Sequence, residues 1–373
     1  MKIAINCRSF LKRNVTGIGR YSLNLVKSLS VIDGDNTYLL YTPKALFDFK
    51  RRIPRIPAKN FITKCDYFNR GLSKTVGEVD IYHAPSPEDL SPVKNIKTIV
   101  TLHDLVFRTH PQSHTPQTIA TFEAQMESVI NHAAKIICIS QSTKNDLIKF
   151  YHVPQERMAC IYHGIDKNIF YSFSAVEKEQ TKHLLKQKGI KDKFILFVGT
   201  LEPRKNLSNL LKAFKFLKEK GIFDGKLVVA GMKGWMQDDL NTQIQKLELK
   251  DDVCILGFVS DGELCSLYNL ASCFVFPSFY EGFGFPIIEA FSCGAPVVTS
   301  NISSCAEIAG ETALTVDPHD PEGIARAISR VLLDEILRDD LIRAGLQRAS
   351  EFSFEKTARE TLEVYKQVYA LKV

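Results

Sequence analysis

Two glutamates, Glu281 and Glu289, bracket the stretch EGFGFPIIE, and their type and spacing suit a ligand rich in hydroxyls and phosphate. A carboxylate accepts two hydrogen bonds at once, which matches the vicinal hydroxyls of a ribose or hexose. Between the two, Gly282 and Gly284 give a loop with no Cβ in the way of a close ligand. Pro286 suits the first turn of a helix, because its missing N–H would be unpaired there anyway. Ile287, Ile288, Ala290 and Phe291 carry an apolar helix to Cys293-Gly294, where the glycine can end it. The free N–H groups and partial positive charge of that helix N-terminus form an anion seat behind two glycines. The plainer alternative is a Gly-Pro loop, a solvated Glu281, and a Glu289 on the polar side of a helix. The setting of Glu289 inside IIEAF weighs against it, because a charge there needs a partner.

Further candidates lie at strand ends. GTLEPRKN (Gly199 to Asn206) follows the strand-like run FILFV. Arg204 and Lys205 thus occupy a strand-to-helix turn, where adjacent cations are well placed for a diphosphate. Two solvated surface charges are the alternative. His103-Asp104 ends the strand Lys97 to Leu102, and ligand residues gather at the carboxyl ends of strands in open α/β sheets. A histidine there can also be a hydrogen-bonded structural residue, with Asp104 orienting it or capping the next turn. Gly17 and Gly19 open the helix TGIGRYSLNLVKSL, and a GxG at a helix start can cradle a diphosphate. A dinucleotide fingerprint is rejected: the third glycine position is Ser22, and about ten residues separate the pair from the preceding strand. Asp33-Gly34-Asp35 spells DxD, but between a helix end and the strand TYLLYT a Gly-containing turn explains it better. No His/Asp/Glu cluster has ligand spacing, so no metal is expected.

These segments resemble the retaining glycosyltransferases of the GT-B fold, the Glu-x7-Glu family of group 1 that includes sucrose synthases and bacterial mannosyltransferases. EGFGFPIIE and GTLEPRKN carry the resemblance most strongly, and it covers nearly the whole chain. It implies a nucleotide-diphosphate sugar held around Glu281, Gly282, Phe283, Gly284 and Glu289, with Glu289 on the ribose and Glu281 on the hexose. It puts Arg204 and Lys205 on the departing diphosphate and His103 against the transferring sugar. The loop of Gly17 and Gly19 would lie near the donor phosphates and the acceptor, and Gly257 and Val259 near nucleotide and base. The sequence departs from the family at Thr200, where many members carry arginine; Arg204 is the expected substitute. The resemblance also implies front-face displacement, with the leaving phosphate taking the acceptor's proton, and no cofactor beyond the donor. The tail is similar to bacterial mannosyltransferases that build surface polysaccharides, which points to GDP-mannose and a glycan or lipid-linked acceptor. A nucleotide-sugar epimerase on the same architecture and a non-catalytic nucleotide-sugar-binding subunit stay open as rivals.

The elements that must position these residues are strands alternating with helices, most of the strands buried apolar runs. That pattern predicts parallel sheets covered on both faces. The expectation is two Rossmann-like lobes facing a central cleft: residues 1–170 on the acceptor side and 171–352 on the donor side, with a C-terminal helix at 353–373 crossing back to the first lobe. At 373 residues, with 45% hydrophobic and 24% charged, the chain is long for one domain and ordinary for a two-domain enzyme. MKIAINCRSF leads directly into a strand, and nine cysteines are scattered without a CxxC pair, so a cytoplasmic protein with reduced thiols is expected. Of the net +6 charge, residues 1–170 carry 23 Lys/Arg against 14 Asp/Glu. The excess concentrates between Lys44 and Lys64, where Lys44, Lys50, Arg51, Arg52, Arg55, Lys59 and Lys64 alternate with apolar residues. This reads as a solvated loop or as a surface for anionic lipid or acceptor. Nucleic acid is not expected, since no recognition motif accompanies the charge.

Overall fold

The computed structural model describes residues 1–11, 17–43, 56–187, 189–190, 193–232 and 237–371. The chain forms two compact units, Met1–Gly164 with Ser353–Val373, and Ile165–Phe352. Residues 165–170, grouped with the first lobe from sequence, belong to the second unit.

The first unit is a sheet of seven parallel strands in the order β3-β2-β1-β4-β5-β6-β7. These are β1 (Lys2–Asn6), β2 (Thr37–Thr42), β3 (Phe61–Cys65), β4 (Ile81–Ala84), β5 (Lys97–Leu102), β6 (Ala133–Cys138) and β7 (Met158–Cys160). Around them lie α1 (Gly17–Ile32), α2 (Leu72–Val76), α3 (Val106–Thr109), α4 (Pro116–His132), α5 (Gln141–Tyr151) and, from the chain's end, α14 (Phe354–Ala370). Side chains alternate across a strand, so each face builds its own core. Ile3 and Ile5 join Tyr21, Leu25 and Leu29 of α1 and Tyr365 of α14. Ala4 faces the other way, into a cluster with Val100, Met126 and Val129 of α4 and Leu147 of α5. Ser140 caps α5, its side chain accepting the Thr143 N–H at 3.0 Å.

Two sequence expectations meet different fates here. The stretch ending at Lys64 is not all loop: Phe61–Cys65 is an edge strand paired in parallel with β2. An edge strand has one neighbour and a solvated side, so its mixed pattern hides it from a search for buried runs. Lys44, Lys50, Arg51, Arg52 and Arg55 lie outside the described residues. Asp33 is committed to a turn: its carboxylate accepts from Asn36 Nδ2 at 2.7 Å, the Tyr38 hydroxyl at 2.5 Å and the Asp35 N–H at 3.0 Å.

The second unit is a sheet of six parallel strands in the order β10-β9-β8-β11-β12-β13. These are β8 (Phe194–Val198), β9 (Lys226–Ala230), β10 (Val253–Gly257), β11 (Cys273–Phe276), β12 (Val297–Ser300) and β13 (Leu314–Val316). Its helices are α6 (Ala175–Gln187), α7 (Leu207–Glu219), α8 (Gln237–Lys246), α9 (Asp261–Leu270), α10 (Phe285–Ser292), α11 (Ser303–Ala309), α12 (Pro321–Leu333) and α13 (Glu335–Ser350). One large cluster joins Ile195, Phe197, Val229 and Val275 of the sheet to Leu210, Phe214 and Leu217 of α7 and Ile324 and Ile328 of α12. Strand order reverses between β8 and β11, so their carboxyl ends flank a switch point, where open α/β sheets bind ligands. Among the described residues no helix is long and apolar enough to cross a membrane. All nine cysteines are free thiols.

Candidate active site

The switch point of the second unit is where the sequence candidates converge. The chain leaves β8 through Gly199 and makes a short 3-10 turn, Pro203–Lys205. Asn206 closes that turn in the left-handed region, φ 60°. Its side-chain amide donates to the Pro277 carbonyl at 2.9 Å and the Pro318 carbonyl at 2.6 Å, tying the turn to the end of β11. The Phe279 N–H donates to the Arg204 carbonyl at 2.9 Å, so the two strand-end loops also share a backbone bond.

Lys205 and Arg204 meet Glu281 across this seam. Lys205 Nζ is 2.6 Å from Glu281 Oε1, and Arg204 Nη1 is 3.1 Å from Oε2. Arg204 Nη2 also reaches Glu202 Oε1 at 2.5 Å, and its Nη1 donates to the Tyr280 carbonyl. Lys205 Nζ lies 5.1 Å from the centre of the Phe276 ring, a cation–π distance. The side chains of Arg204 and Lys205 are 14% and 12% exposed, which excludes the reading of two solvated surface charges. Glu281 is 7% exposed as a residue. Burial pushes its carboxyl pKa up, but Arg204 and Lys205 outweigh burial and hold it at about 2.

The loop that carries Glu281 is fastened by hydroxyls from the next strand and helix. Thr299 Oγ1 donates to the Phe276 carbonyl at 2.8 Å, Ser300 Oγ to the Ser278 carbonyl at 2.5 Å, and Ser304 Oγ to the Glu281 carbonyl at 2.8 Å. The Glu281 N–H donates to Ser303 Oγ at 3.2 Å. Ser303 itself has φ 54°, a strained backbone for a side-chain-bearing residue. Ser303 and Ser304 grip the Glu281 peptide from both sides. The signal was present in the run TSNISS, four hydroxyls spanning the end of a strand and the start of the next helix.

Gly284, φ 98°, turns the loop into α10, with Pro286 in the first turn. Glu289 follows on that helix, 6% exposed. Its Oε2 accepts the Tyr268 hydroxyl of α9 at 3.0 Å, a partner the sequence reading missed. Phe283, between the glycines, packs edge-on against Phe285 at 5.2 Å.

Next to the seam, three strand ends finish in glycine. Gly199, Gly231 and Gly257 follow or close β8, β9 and β10. The Gly199 N–H donates to the Ala230 carbonyl at 2.9 Å, and the Gly231 N–H to the Gly257 carbonyl at 2.8 Å. A Cβ on Gly231 would fall 1.9 Å from the Gly199 carbonyl oxygen, so the close approach requires glycine. Lys205 methylenes pack 3.6 Å from where a Gly199 Cβ would stand. Gly257 thus joins the site through Gly231 and Gly199, while Val259 is half-buried beyond it.

The first unit holds the remaining candidates. His103 Nε2 is 2.7 Å from the Pro85 carbonyl, which can only accept, so the proton is on Nε2. Tyr21 stands edge-on to its ring at 5.4 Å and His163 stacks at 5.5 Å. Burial, partly opposed by the Pro85 carbonyl and Asp104, lowers the His103 pKa. Asp104 caps the next turn, accepting the Val106 N–H at 3.0 Å. Gly17 is exposed at the start of α1 and Gly19 is buried two residues on.

Comparison with known proteins agrees with this arrangement. Residues 178–348 match the family described as Glycosyl transferases group 1, and residues 15–168 match Glycosyltransferase Family 4. The chain is 30% identical over 381 residues to the O-antigen chain mannosyltransferase B of Escherichia coli, covering 95% of this chain and 97% of that one. Sucrose-phosphate synthase from Thermosynechococcus elongatus shares the fold with a TM-score of 0.78 at 21% identity, over 99% of both chains. Anabaena HepE in complex with UDP and glucose does so with a TM-score of 0.76 at 20% identity, over 98% of this chain and 100% of that one. Two parallel-sheet α/β units, a switch point fastened around Lys205 and Glu281, and these matches together place the chain in the group 1 glycosyltransferases of the GT-B fold.

Proposed function

We propose that this glycosyltransferase moves a hexose, mannose from GDP-mannose, to a glycan or lipid-linked acceptor in surface polysaccharide synthesis, with retention of configuration and without a metal or other cofactor. The observation that carries the reading is the pairing of Lys205 and Arg204 with Glu281 at the switch point, beside the α10 N-terminus. Two cations and a row of helix N–H donors held in a low-dielectric setting suit a diphosphate whose charge grows as the sugar leaves. The relative named as an O-antigen chain mannosyltransferase supports mannose and polysaccharide. The neighbour HepE, which holds UDP and glucose, supports a nucleotide-sugar donor in this fold.

In this reading Lys205 and Arg204 bind the diphosphate together with the backbone of Gly282, Phe283 and Gly284. Glu281 holds both cations in place and borders the hexose. Glu289 takes the ribose hydroxyls, and the glycine ends at Gly257 and Val259 lie along nucleotide and base. His103 presents a neutral imidazole to the transferring sugar, and the loop of Gly17 and Gly19 serves phosphates and acceptor. The leaving phosphate takes the acceptor's proton on the same face, which yields retention. The protein would work at the cytoplasmic face of a membrane, with the basic segment Lys44–Lys64 as its contact with anionic lipid. The deciding experiment incubates the chain with GDP-mannose and other nucleotide sugars, with and without a mannose-terminated lipid-linked acceptor. Acceptor-dependent GDP release and an α-linked product are expected. Release without acceptor would indicate an epimerase, and an inverted product would overturn the retaining mechanism.

A further inference from the structure

Tyr268 takes no part in the reading above, yet it touches one of its central residues. The side chain is fully buried, and its hydroxyl is 3.0 Å from Glu289 Oε2. A carboxylate only accepts, so the phenol donates. The ring has little freedom: Phe274 stands edge-on at 5.2 Å and Phe170 at 6.2 Å. One turn earlier on α9, Cys265 Sγ is 3.8 Å from Cys293 Sγ, just past the end of α10. Residues 265 and 268 are one helical turn apart, as are 289 and 293. Two parallel contacts therefore fix the register of α9 against α10, and one of them ends on the Glu289 carboxylate.

A freely rotating carboxylate meets two vicinal hydroxyls in only some of its orientations. One that accepts a hydrogen bond from a fixed phenol has its plane set before the ligand arrives, and less ordering remains for binding to pay. We propose that Tyr268 is a positioning residue for the nucleotide ribose: it orients Glu289 so that the carboxylate meets the 2′ and 3′ hydroxyls. This rests on the assignment of Glu289 to the ribose.

The test is calorimetric affinity for GDP and UDP, and for the 2′,3′-dideoxy form of whichever binds more tightly. Wild type should prefer the ribose form on the order of tenfold or more. Glu289→Gln should abolish that preference. Tyr268→Phe should weaken binding of the ribose form by about tenfold and lose most of the preference, while the dideoxy form binds as before. Lys205→Ala should weaken both forms and keep the preference, since phosphate binding is common to them. A folded Tyr268→Phe that keeps the preference, when Glu289→Gln loses it, overturns the role of Tyr268 and leaves Glu289 on the ribose. A preference that survives Glu289→Gln removes the ribose assignment and this inference with it, as does wild type binding neither nucleotide. If Tyr268→Phe does not fold, Glu289→Asp serves instead: it draws the carboxylate back from the phenol while keeping ring and charge. Retained preference there overturns the proposal.

Discussion

Lys205 Nζ lies 2.6 Å from Glu281 Oε1, although 76 positions separate the two residues in the chain. They leave neighbouring strands, β8 and β11, on either side of the point where strand order reverses. A buried cation and a buried carboxylate thus balance each other at the place in the sheet where a ligand is expected.

Lys205→Ala is expected to lower turnover at saturating donor on the order of 100-fold, because negative charge grows on the diphosphate in the transition state. Arg204 still covers Glu281, so the variant should remain folded. Initial rates with a melting curve check both statements, and full activity would remove Lys205 from the mechanism.

Acid should loosen the second unit through Glu281. Its carboxyl is held at about 2, below the ordinary 4.5, so the folded state binds fewer protons than the unfolded one. The contribution is fully present above pH 4.5 and disappears as pH falls toward 2; it is on the order of 3 kcal/mol. Denaturant titrations across this window should show a shallower pH dependence for Glu281→Gln than for wild type. Identical slopes would contradict the depressed carboxyl.

Gly231→Ala should be costly and Gly257→Ala mild. The first adds a Cβ 1.9 Å from the Gly199 carbonyl oxygen, at φ 152°; the second, at φ 71°, points into open space. Losses of about 2–4 kcal/mol and about 1 kcal/mol respectively are expected by urea unfolding. Equal losses would mean that the glycine row is not set by that close approach.

Transfer should continue in excess EDTA. The Arg204 and Lys205 side chains and the helix N–H dipoles are built into the proposed diphosphate site and need no added ion. Activity lost in EDTA and restored by Mg²⁺ or Mn²⁺ would refute the metal-free reading.

The sequence made the strand ends legible, because buried runs such as FILFV and CFVF are bounded by glycine and proline, and the motif residues stand next to those boundaries. It also favoured a partner for Glu289, since a carboxylate inside IIEAF needs one, but could not name Tyr268, which comes from another helix. The ion pairs of Glu281 were out of reach for the same reason. Parallel strands bring distant loops together, and nothing local in GTLEPRKN tells a solvated lysine from a buried one. The contacts of Ser303 and Ser304 with the Glu281 peptide were out of reach because hydroxyl side chains are ordinary in helix starts and turns. The strand β3 escaped because an edge carries no buried run.

The hydroxyl fastenings from Thr299, Ser300 and Ser304 are uncharged, and so are the amide bonds of Asn206. These neutral fasteners hold the loop beside the ion pairs of Glu281 and do not titrate or screen with them. In the proposed reading, an arriving diphosphate competes with Glu281 for Lys205 without competing for any of the neutral fasteners. Raising ionic strength should then weaken ligand capture more than it loosens the loop, since the neutral bonds are not screened.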